Sequence, residues 1–334
     1  MAKSRIAING FGRIGRLVFR EIFNDKDVEV VAINDLTDAK TLAHLLKYDT
    51  AHGQMKNNIS FTNSSIIVDG KEFPIFAEKD PSSLPWKKYN VDLVVEGTGR
   101  FVTLEGASKH LDAGAKKVLI TAPAKSGDVK TIVYSVNHNI LTKDDKVVSG
   151  ASCTTNCLAP VMNVLENNFG VEKAFMTTIH SYTADQRLQD APHSDLRRAR
   201  AAAANMIPTT TGAAKSIGKV IPALNGKMNG IALRVPTITG SIIDVSVELK
   251  KNPTVEEINK AMKKASSESL FYTEDEIVSS DIIGSTAGSI FDAKMTSVLS
   301  VDGKNLYKVY SWYDNESSFV NQYVRTLKHM IKLG

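Results

Sequence analysis

The stretch RIAINGFGRIG, residues 5–15, decides the fold of this chain. Its apolar beginning predicts a short β-strand over residues 5–8, which runs directly into a G-x-G-x-x-G pattern. The apolar residues that follow recur at helical spacing as far as Ile22, and a second apolar run covers residues 28–33. A strand, a glycine turn, a helix and a second strand in this order predict a βαβ unit of the Rossmann type.

The three glycines and one acidic residue indicate what this unit binds. Gly10 allows a tight turn, Gly12 lets the backbone approach a pyrophosphate, and Gly15 lets the helix pack on the strand. The N–H groups at the helix start then meet the anion. Asp35 follows the second strand, 20 residues after Gly15. Its carboxylate can accept from both ribose hydroxyls and would repel a 2′-phosphate, so NAD is favoured over NADP.

The composition is that of a globular protein, and the length fits one large domain or, more comfortably, two of ordinary size. The 334 residues are 43% hydrophobic and 23% charged, and no apolar run is long enough for a membrane span. Two cysteines cannot form a disulfide framework, so we expect a soluble intracellular protein. The net charge of +5 favours a solvated surface or an anion-binding active site over a nucleic-acid-binding surface.

The first half continues as strands and helices. Further strands are predicted at residues 65–68, 72–76, 91–96, 117–121, 131–134 and 146–149. Asp69-Gly70 is a hairpin signal, and a helix is expected over residues 104–113. This alternation is typical of a doubly wound parallel sheet, in which ligands bind beyond the carboxyl ends of the strands. Polar residues stand at four such ends: Asn9, Asp35, Thr98 and Thr121.

The second half has longer strands with alternating polarity. They are predicted at residues 174–180, 230–235, 242–249, 296–301 and 307–312. An amphipathic helix over 254–266 starts with a Thr cap, and an apolar-striped helix over 317–331 closes the chain. We therefore expect a Rossmann domain over 1–150, joined by the C-terminal helix 316–334. The catalytic domain is expected over 151–315, as an α+β fold with a largely antiparallel sheet.

Both cysteines of the chain lie in ASCTTNC, residues 151–157. The small residues before Cys153 and the helical pattern after it place this thiol at or near a helix start, which lowers the pKa of a thiol. Thr154 and Thr155 can supply capping oxygens. A disulfide between residues four apart in a helix is strained, and CxxxC is not a zinc spacing, so no metal site is predicted. Cys153 is the candidate nucleophile, and Cys157 is interpreted as a small buried apolar residue.

A reactive thiolate needs a basic partner, and His180 is the candidate among seven histidines. It ends an apolar strand and opens a long polar loop that contains several arginines, Arg198 among them. Arg234 stands inside another apolar strand, where a charged group requires a partner and an anionic ligand is attractive. The alternative is a solvated basic face with one salt-bridged strand arginine.

From end to end, the chain resembles the glyceraldehyde-3-phosphate dehydrogenase family. The residues that carry the resemblance are NGFGRIGR (9–16), SGASCTTNCLAP (149–160), DLRRAR (195–200), IPTTTGAAK (207–215), LRVPT (233–237) and WYDNE (312–316). The resemblance implies an NAD-dependent, phosphorylating aldehyde dehydrogenase of glycolysis.

The resemblance also implies roles for individual residues. Cys153 is the nucleophile and His180 its base. The NAD-binding residues are Asn9, Gly10, Gly12, Arg13, Ile14, Gly15, Asp35, Lys79, Thr98, Thr121 and Asn315. The C3 phosphate of the substrate is bound by Thr183 and Arg234. A second anion site, for inorganic phosphate, is formed by Ser152, Thr154, Arg198, Thr211 and Gly212. Lys79 and Phe319 stand where arginine and tyrosine are common, so the cofactor contacts at these positions are left open.

The implied reaction oxidises glyceraldehyde 3-phosphate to 1,3-bisphosphoglycerate with NAD and inorganic phosphate. It proceeds through a cysteine hemithioacetal and a thioester. One alternative is erythrose-4-phosphate dehydrogenase, which hydrolyses the thioester and has less need of a second anion site. Another is a nucleotide- or RNA-binding protein without this activity. The resemblance further implies a cytoplasmic homotetramer without a membrane partner.

Overall fold

The computed structural model of the protein describes residues 2–334. Packing divides the chain into two compact units, and each is described by itself. The first unit comprises residues 2–132, 138–151 and 323–334, and the second comprises residues 133–137 and 152–322. Within residues 2–334, none of the helices combines the length and the apolar character that crossing a bilayer requires.

The described residues of the first unit form a nine-stranded sheet. Its strands are β1 Ser4–Asn9, β2 Val28–Asn34, β3 Ile59–Phe61, β4 Ser65–Val68, β5 Lys71–Phe76, β6 Leu93–Glu96, β7 Lys117–Ile120, β8 Lys130–Thr131 and β9 Val147–Ser149. Their order is β3-β4-β5-β2-β1-β6-β7-β9-β8. The β3-β4-β5 pairs are antiparallel and the other neighbouring pairs are parallel. The predicted doubly wound parallel sheet is confirmed.

The helices of this unit are α1 Arg13–Ile22, α2 Ala39–Lys47 and α3 Leu104–Asp112. The apolar side chains of α1, such as Leu17, Val18, Phe19 and Ile22, are buried. α1 starts after Gly12 without a side-chain cap. No N-cap side chain therefore accepts hydrogen bonds from the N–H groups at this helix start, which is the position where an external anion can bind.

The hairpin predicted at Asp69 and Gly70 is confirmed. β4 pairs with β5 across these residues, whose φ angles are 49° and 81°. Positive φ at both turn positions matches the twist of the two strands. The strand predicted over residues 131–134 is wrong beyond Thr131. There the side-chain oxygen of Asn137 accepts from Val133 N–H at 2.9 Å, so the chain turns instead of extending β8.

The described residues of the second unit form an eight-stranded sheet. Its strands are β10 Val171–Ser181, β11 Ile207–Thr210, β12 Met228–Val235, β13 Ser241–Leu249, β14 Leu270–Thr273, β15 Ser289–Asp292, β16 Ser297–Val301 and β17 Lys304–Tyr313. Their order is β11-β12-β10-β13-β17-β15-β14, with β16 paired to β17. The β10-β12 and β14-β15 pairs are parallel and the others antiparallel. This confirms the predicted largely antiparallel sheet.

The remaining helices are α4 Cys153–Phe169, α5 Ala213–Val220, α6 Val255–Lys264 and α7 Ser317–Lys332. The predicted Thr cap of α6 is confirmed, because Thr254 and Glu257 form a reciprocal capping box. α7 begins in the second unit, and its residues from Tyr323 onward belong to the first. In the first unit, the Tyr323 hydroxyl donates to the Leu119 carbonyl at 2.5 Å, and Lys117 Nζ donates to the Met330 carbonyl at 2.7 Å.

Candidate active site

Cys153 is the first residue of α4, as the sequence predicted. The cap is nevertheless Ser152, whose Oγ accepts from Thr155 N–H at 3.1 Å, so the predicted capping by Thr154 or Thr155 is wrong. Ala151, just before the cap, has a φ of 61°, a left-handed conformation that turns the chain into the helix. The Cys153 side chain is half-buried, and its Sγ lies 3.4 Å from His180 Nε2.

The hydrogen bonds of His180 fix which ring nitrogen faces the thiol. Nδ1 lies 2.6 Å from the Ser181 carbonyl, which can only accept, so Nδ1 carries the hydrogen. Nε2 is then the nitrogen with a lone pair, directed at Cys153. Arg234 Nη1 also lies 2.8 Å from Nδ1, but it can donate instead to Ser181 O at 3.1 Å and to Thr183 Oγ1 at 3.3 Å. This geometry is the one in which an imidazole can take the proton of a neighbouring thiol.

The sheet register explains why Arg234 stands beside His180. β10 and β12 are parallel neighbours, and His180 and Arg234 are partners in their register. Partners on adjacent strands point to the same face of a sheet. Arg234, the arginine predicted inside an apolar strand, therefore has His180 and the Thr183 hydroxyl as its neighbours.

The protonation of the pair is set by burial. Burial raises the pKa of the Cys153 thiol and outweighs Arg234 and the Thr154 hydrogen bonds, which lower it. Burial, followed by the charge of Arg234, lowers the pKa of His180 to about 3. The predicted lowering of the thiol pKa is therefore wrong for the protein without ligands, because desolvation exceeds the effect of the helix start. Burial thus favours the neutral form of both the Cys153 thiol and the His180 imidazole.

Cys157 has the structural role that the sequence indicated. Its side chain is completely buried, and its Sγ lies 3.5 Å from Ser289 Oγ. Burial raises the pKa of this thiol to about 12, so it stays protonated at neutral pH.

The two arginines with predicted anion-binding roles are both engaged by the protein. Arg234 donates to the Thr183 hydroxyl, and Thr183 in turn donates to Asp185. The other carboxylate oxygen of Asp185 accepts from Arg198 Nη1 at 2.6 Å. Arg198 Nε also donates to Thr209 Oγ1 at 3.0 Å. Hydrogen bonds thus run from Arg234 to Arg198 through Asp185, a residue that the sequence analysis did not name.

The other residues with predicted anion-binding roles differ in how available their side chains are. The Ser152 hydroxyl is used in the α4 cap, and the Thr154 hydroxyl is buried within 2.9 Å of the Tyr313 hydroxyl. Thr211 Oγ1 accepts from Ala213 N–H at 3.2 Å. Gly212 precedes α5 without a side-chain cap, and a Cβ added there would meet nothing within 4 Å. The start of α5 is therefore the more open part of this set.

The first unit contains a cavity of about 310 Å³ beside the glycine turn. Residues predicted to bind the cofactor line part of it: Asn9, Gly10, Gly12, Asp35, Lys79 and Thr98. The predicted residues Arg13, Ile14, Gly15 and Thr121 do not line it. Six further residues line the cavity and were not predicted from the sequence: Asn34, Leu36, Glu78, Gly97, Arg100 and Phe101. Most of these are sequence neighbours of a predicted residue, and this position in the sequence is what could have identified them.

The glycines differ in what surrounds them. Gly10 has a φ of 91°, and a Cβ there would lie 2.6 Å from Thr98 N. A Cβ on Gly15 would lie 2.1 Å from the Gly10 carbonyl oxygen, so this glycine permits the helix to touch the turn. A Cβ on Gly12 would meet no atom within 4 Å. The space in front of Gly12 is thus open, as a site for a phosphate requires.

Two charged residues near the turn have defined partners. Asp35 accepts from Phe11 N–H at 2.8 Å and from Thr37 N–H at 2.9 Å, so its carboxylate is held at the cavity edge. Arg13, which the resemblance implied to be an NAD-binding residue, forms an ion pair with Asp49 at 2.7 Å. Thr121 Oγ1 donates to the Glu96 carbonyl at 3.0 Å.

Asn315, in the second unit, has a fixed amide orientation. Its Oδ1 lies 3.2 Å from Gly240 N, which can only donate, and it also accepts from the Ser241 hydroxyl at 3.2 Å. The oxygen is therefore committed to the protein. Nδ2 is the atom left to donate to a ligand carbonyl.

Two family models match the chain. The NAD binding domain of glyceraldehyde 3-phosphate dehydrogenase matches residues 4–104, and the C-terminal domain of the same enzyme matches residues 152–315. The chain belongs to the glyceraldehyde-3-phosphate dehydrogenase family. The protein is thus an NAD-dependent dehydrogenase, and the prediction of NAD as its cofactor is confirmed.

Three relatives that bear the name glyceraldehyde-3-phosphate dehydrogenase align along their whole length. The protein of Mycoplasma pneumoniae is 62% identical over 336 residues, which is 100% of both chains. Those of Clostridium pasteurianum and Streptococcus pyogenes are 56% and 55% identical over 333 residues, each covering 99% of both chains. The resemblance seen in the sequence is therefore confirmed.

The first unit of this glyceraldehyde-3-phosphate dehydrogenase family member fits NAD. The open space at Gly12 and the uncapped start of α1 suit a pyrophosphate, and the backbone-held carboxylate of Asp35 suits a ribose. Within residues 2–334, no group of three or more His, Cys, Asp or Glu side chains is arranged to hold a metal ion.

Proposed function

We propose that the protein oxidises glyceraldehyde 3-phosphate and captures the product with inorganic phosphate to give 1,3-bisphosphoglycerate. The observation that carries this is the 3.4 Å approach of Cys153 Sγ to the lone-pair nitrogen of His180, with Arg234 beside it. A cysteine nucleophile with an adjacent base suits attack on an aldehyde, and the arginine suits a substrate phosphate.

The residues move one proton through the oxidation. His180 Nε2 takes the proton of the Cys153 thiol as Sγ attacks the aldehyde carbon, and it returns that proton to the former carbonyl oxygen, giving a hemithioacetal. Backbone N–H groups at the start of α4 stabilise the developing oxyanion. His180 then removes the hydroxyl proton as the C–H bond breaks, which leaves a thioester on Cys153. NAD, when bound, supplies the acceptor for the hydride.

The thioester requires a second anion site. Inorganic phosphate attacks the thioester carbon, the C–S bond breaks, and Cys153 leaves as the thiolate, which recovers its proton from His180. We assign this phosphate to Arg198 and the start of α5 at Gly212, and the substrate phosphate to Thr183 and Arg234. The alternatives of erythrose-4-phosphate dehydrogenase and of a nucleic-acid-binding protein without this activity are not favoured, because the named relatives are glyceraldehyde-3-phosphate dehydrogenases over their whole length.

We assign the cofactor cavity to NAD, with Asp35 at the adenine ribose and Asn315 Nδ2 donating to the nicotinamide carboxamide. Residues 1–150 with 316–334 are proposed as the cofactor domain and residues 151–315 as the catalytic domain. A cytoplasmic homotetramer is proposed by analogy with the family.

The test is NADH formation from glyceraldehyde 3-phosphate with and without inorganic phosphate. We expect turnover that depends on phosphate, and a loss of roughly a thousandfold or more in Cys153→Ser. Cys157→Ser is the matched control, since this thiol is buried and faces Ser289, and it should retain activity. Substantial activity in Cys153→Ser, or turnover independent of phosphate, would contradict the proposal.

A further inference from the structure

Glu96 is a completely buried carboxylate at the end of β6 that the reaction does not use. Its Oε2 accepts from Asn9 Nδ2 at 2.6 Å and lies 2.9 Å from His110 Nε2. Its Oε1 accepts from Thr98 N–H at 2.9 Å and from the Thr98 hydroxyl. Hydrogen-bond donors from β1, α3 and the loop after β6 therefore converge on one negative charge.

A tryptophan determines the direction of the His110 hydrogen bond. Trp86 Nε1 lies 2.9 Å from His110 Nδ1, and an indole N–H can only donate, so Nδ1 is the acceptor. The hydrogen of the ring is therefore on Nε2, which donates to Glu96. Trp86 and His110 are both completely buried, and neither lines the cofactor cavity. Together they hold the Glu96 carboxylate from the side away from the cavity.

On the other side, the hydrogen bonds continue along the cavity wall. Asn9 Oδ1 accepts from Asn34 Nδ2 at 2.7 Å. Asn34 then bonds to the backbone of Glu78 in both directions, accepting from its N–H at 2.9 Å and donating to its carbonyl at 3.0 Å. Asn9, Asn34, Glu78 and Thr98 all line the cavity. One continuous network thus joins the ends of β1, β2 and β6 to the segment after β5.

We propose that Glu96, held by His110 and Trp86, is a positioning residue for NAD. It fixes the cavity wall in the binding geometry before the cofactor arrives, so that NAD binding does not have to order these side chains. A buried charge compensated by neutral donors alone is a costly way to stabilise a fold, whereas it is an effective way to orient several donors at once. The proposal rests on the assignment of this cavity to NAD under Proposed function, and it does not depend on the identity of the substrate.

Glu96→Gln tests the proposal with a side chain of the same shape. Its NH₂ group must face either Thr98 N–H or the donors of Asn9 and His110, so at least one donor loses its acceptor. We expect the Kd of NAD to rise about tenfold or more, while kcat at saturating NAD stays within about twofold of the wild-type value. The rate of Cys153 alkylation in the unliganded protein should not change. Glu105→Gln, on an exposed residue of α3, is the matched control and should behave as wild type.

Trp86→Phe is the second variant, and it tests the positioning role of Glu96 even if Glu96→Gln does not fold. It removes the donor to His110 Nδ1 without touching the cavity, and we expect the Kd of NAD to rise about threefold. Nitrogen NMR of His110 should show that Nδ1 has lost its hydrogen-bond donor. A wild-type Kd in both variants would overturn the proposal. So would a fall in kcat and in Cys153 alkylation together with NAD affinity, since that is the mark of a general structural role. Absence of NAD binding in the wild-type protein would instead refute the cofactor assignment.

Discussion

Arg234 Nη1 lies 2.8 Å from His180 Nδ1, because the two residues are register partners on the parallel strands β12 and β10. The positive charge of Arg234 acts on both His180 and Cys153. It lowers the pKa of His180, after burial, and it also lowers the pKa of Cys153, where it opposes burial. One cation therefore keeps the imidazole available as a base and makes the thiol easier to ionise.

Replacing Arg234 with glutamine should raise the pKa of the Cys153 thiol. The thiolate then appears at higher pH, and we expect the midpoint of the alkylation-rate profile of the unliganded protein to move upward by about half a pH unit or more. The KM for glyceraldehyde 3-phosphate should rise about tenfold or more, because a charged phosphate ligand is lost. Arg200→Gln, which removes an exposed ion pair with Asp190, is the control. A midpoint that stays in place or moves downward would contradict this account.

His180 should make the protein less stable in acid. Its pKa is about 3 in the folded protein and 6.5 in a free side chain. Between these two pH values, His180 is therefore protonated in the unfolded chain and not in the native state. The free energy of unfolding therefore falls as the pH is lowered towards 3, by about 2 kcal/mol at pH 5 from this residue. Urea unfolding at pH 7 and pH 5 should show a loss about 2 kcal/mol smaller in His180→Asn. An equal loss in that variant and in the exposed-histidine control His44→Asn would refute the prediction.

Asp185→Asn should make Arg198 more available to inorganic phosphate. The Asp185 carboxylate lies 2.6 Å from Arg198 Nη1, and an incoming phosphate has to break this ion pair and approach a like charge. We expect the KM for phosphate to fall about threefold or more, with Asp190→Asn as the control on the same loop. A higher KM in Asp185→Asn would show that the carboxylate orients Arg198 and does not compete with phosphate.

Gly12→Ala and Gly15→Ala should have different consequences. A Cβ at residue 15 would lie 2.1 Å from a backbone oxygen, so this variant should lose about 2 kcal/mol or more of stability. Gly12 has a φ of −71° and open space before it, so its variant should fold with a stability within about 1 kcal/mol of wild type. The added methyl group should nevertheless weaken NAD binding, since it fills the space assigned to the pyrophosphate. Thermal melts and NAD titrations of both variants give the comparison. Equal loss of stability in the two would contradict it.

Local sequence patterns were sufficient for the βαβ unit, because its strand, glycine turn and helix are consecutive in the chain and Gly15 acts through a contact with Gly10 in the same turn. They also placed Cys153 at a helix start. They could not give the raised thiol pKa, since the depth of burial depends on residues distant in the sequence. Asp185 and Glu96 were not predicted as functional residues for a related reason. Each reads as an ordinary polar residue, and its importance comes from donors that the fold brings to it.

The closing segment of α7 has a consequence for how the protein is made. Residues 323–334 belong to the first unit, where Tyr323 holds the Leu119 carbonyl and Lys117 holds the Met330 carbonyl. These residues follow the whole of the second unit in the sequence, so a ribosome can complete the first unit only after it has synthesised the second. A nascent or truncated chain that stops at residue 322 would leave the side of the sheet at Gly150 without the Tyr323 ring, which lies against it in the finished protein.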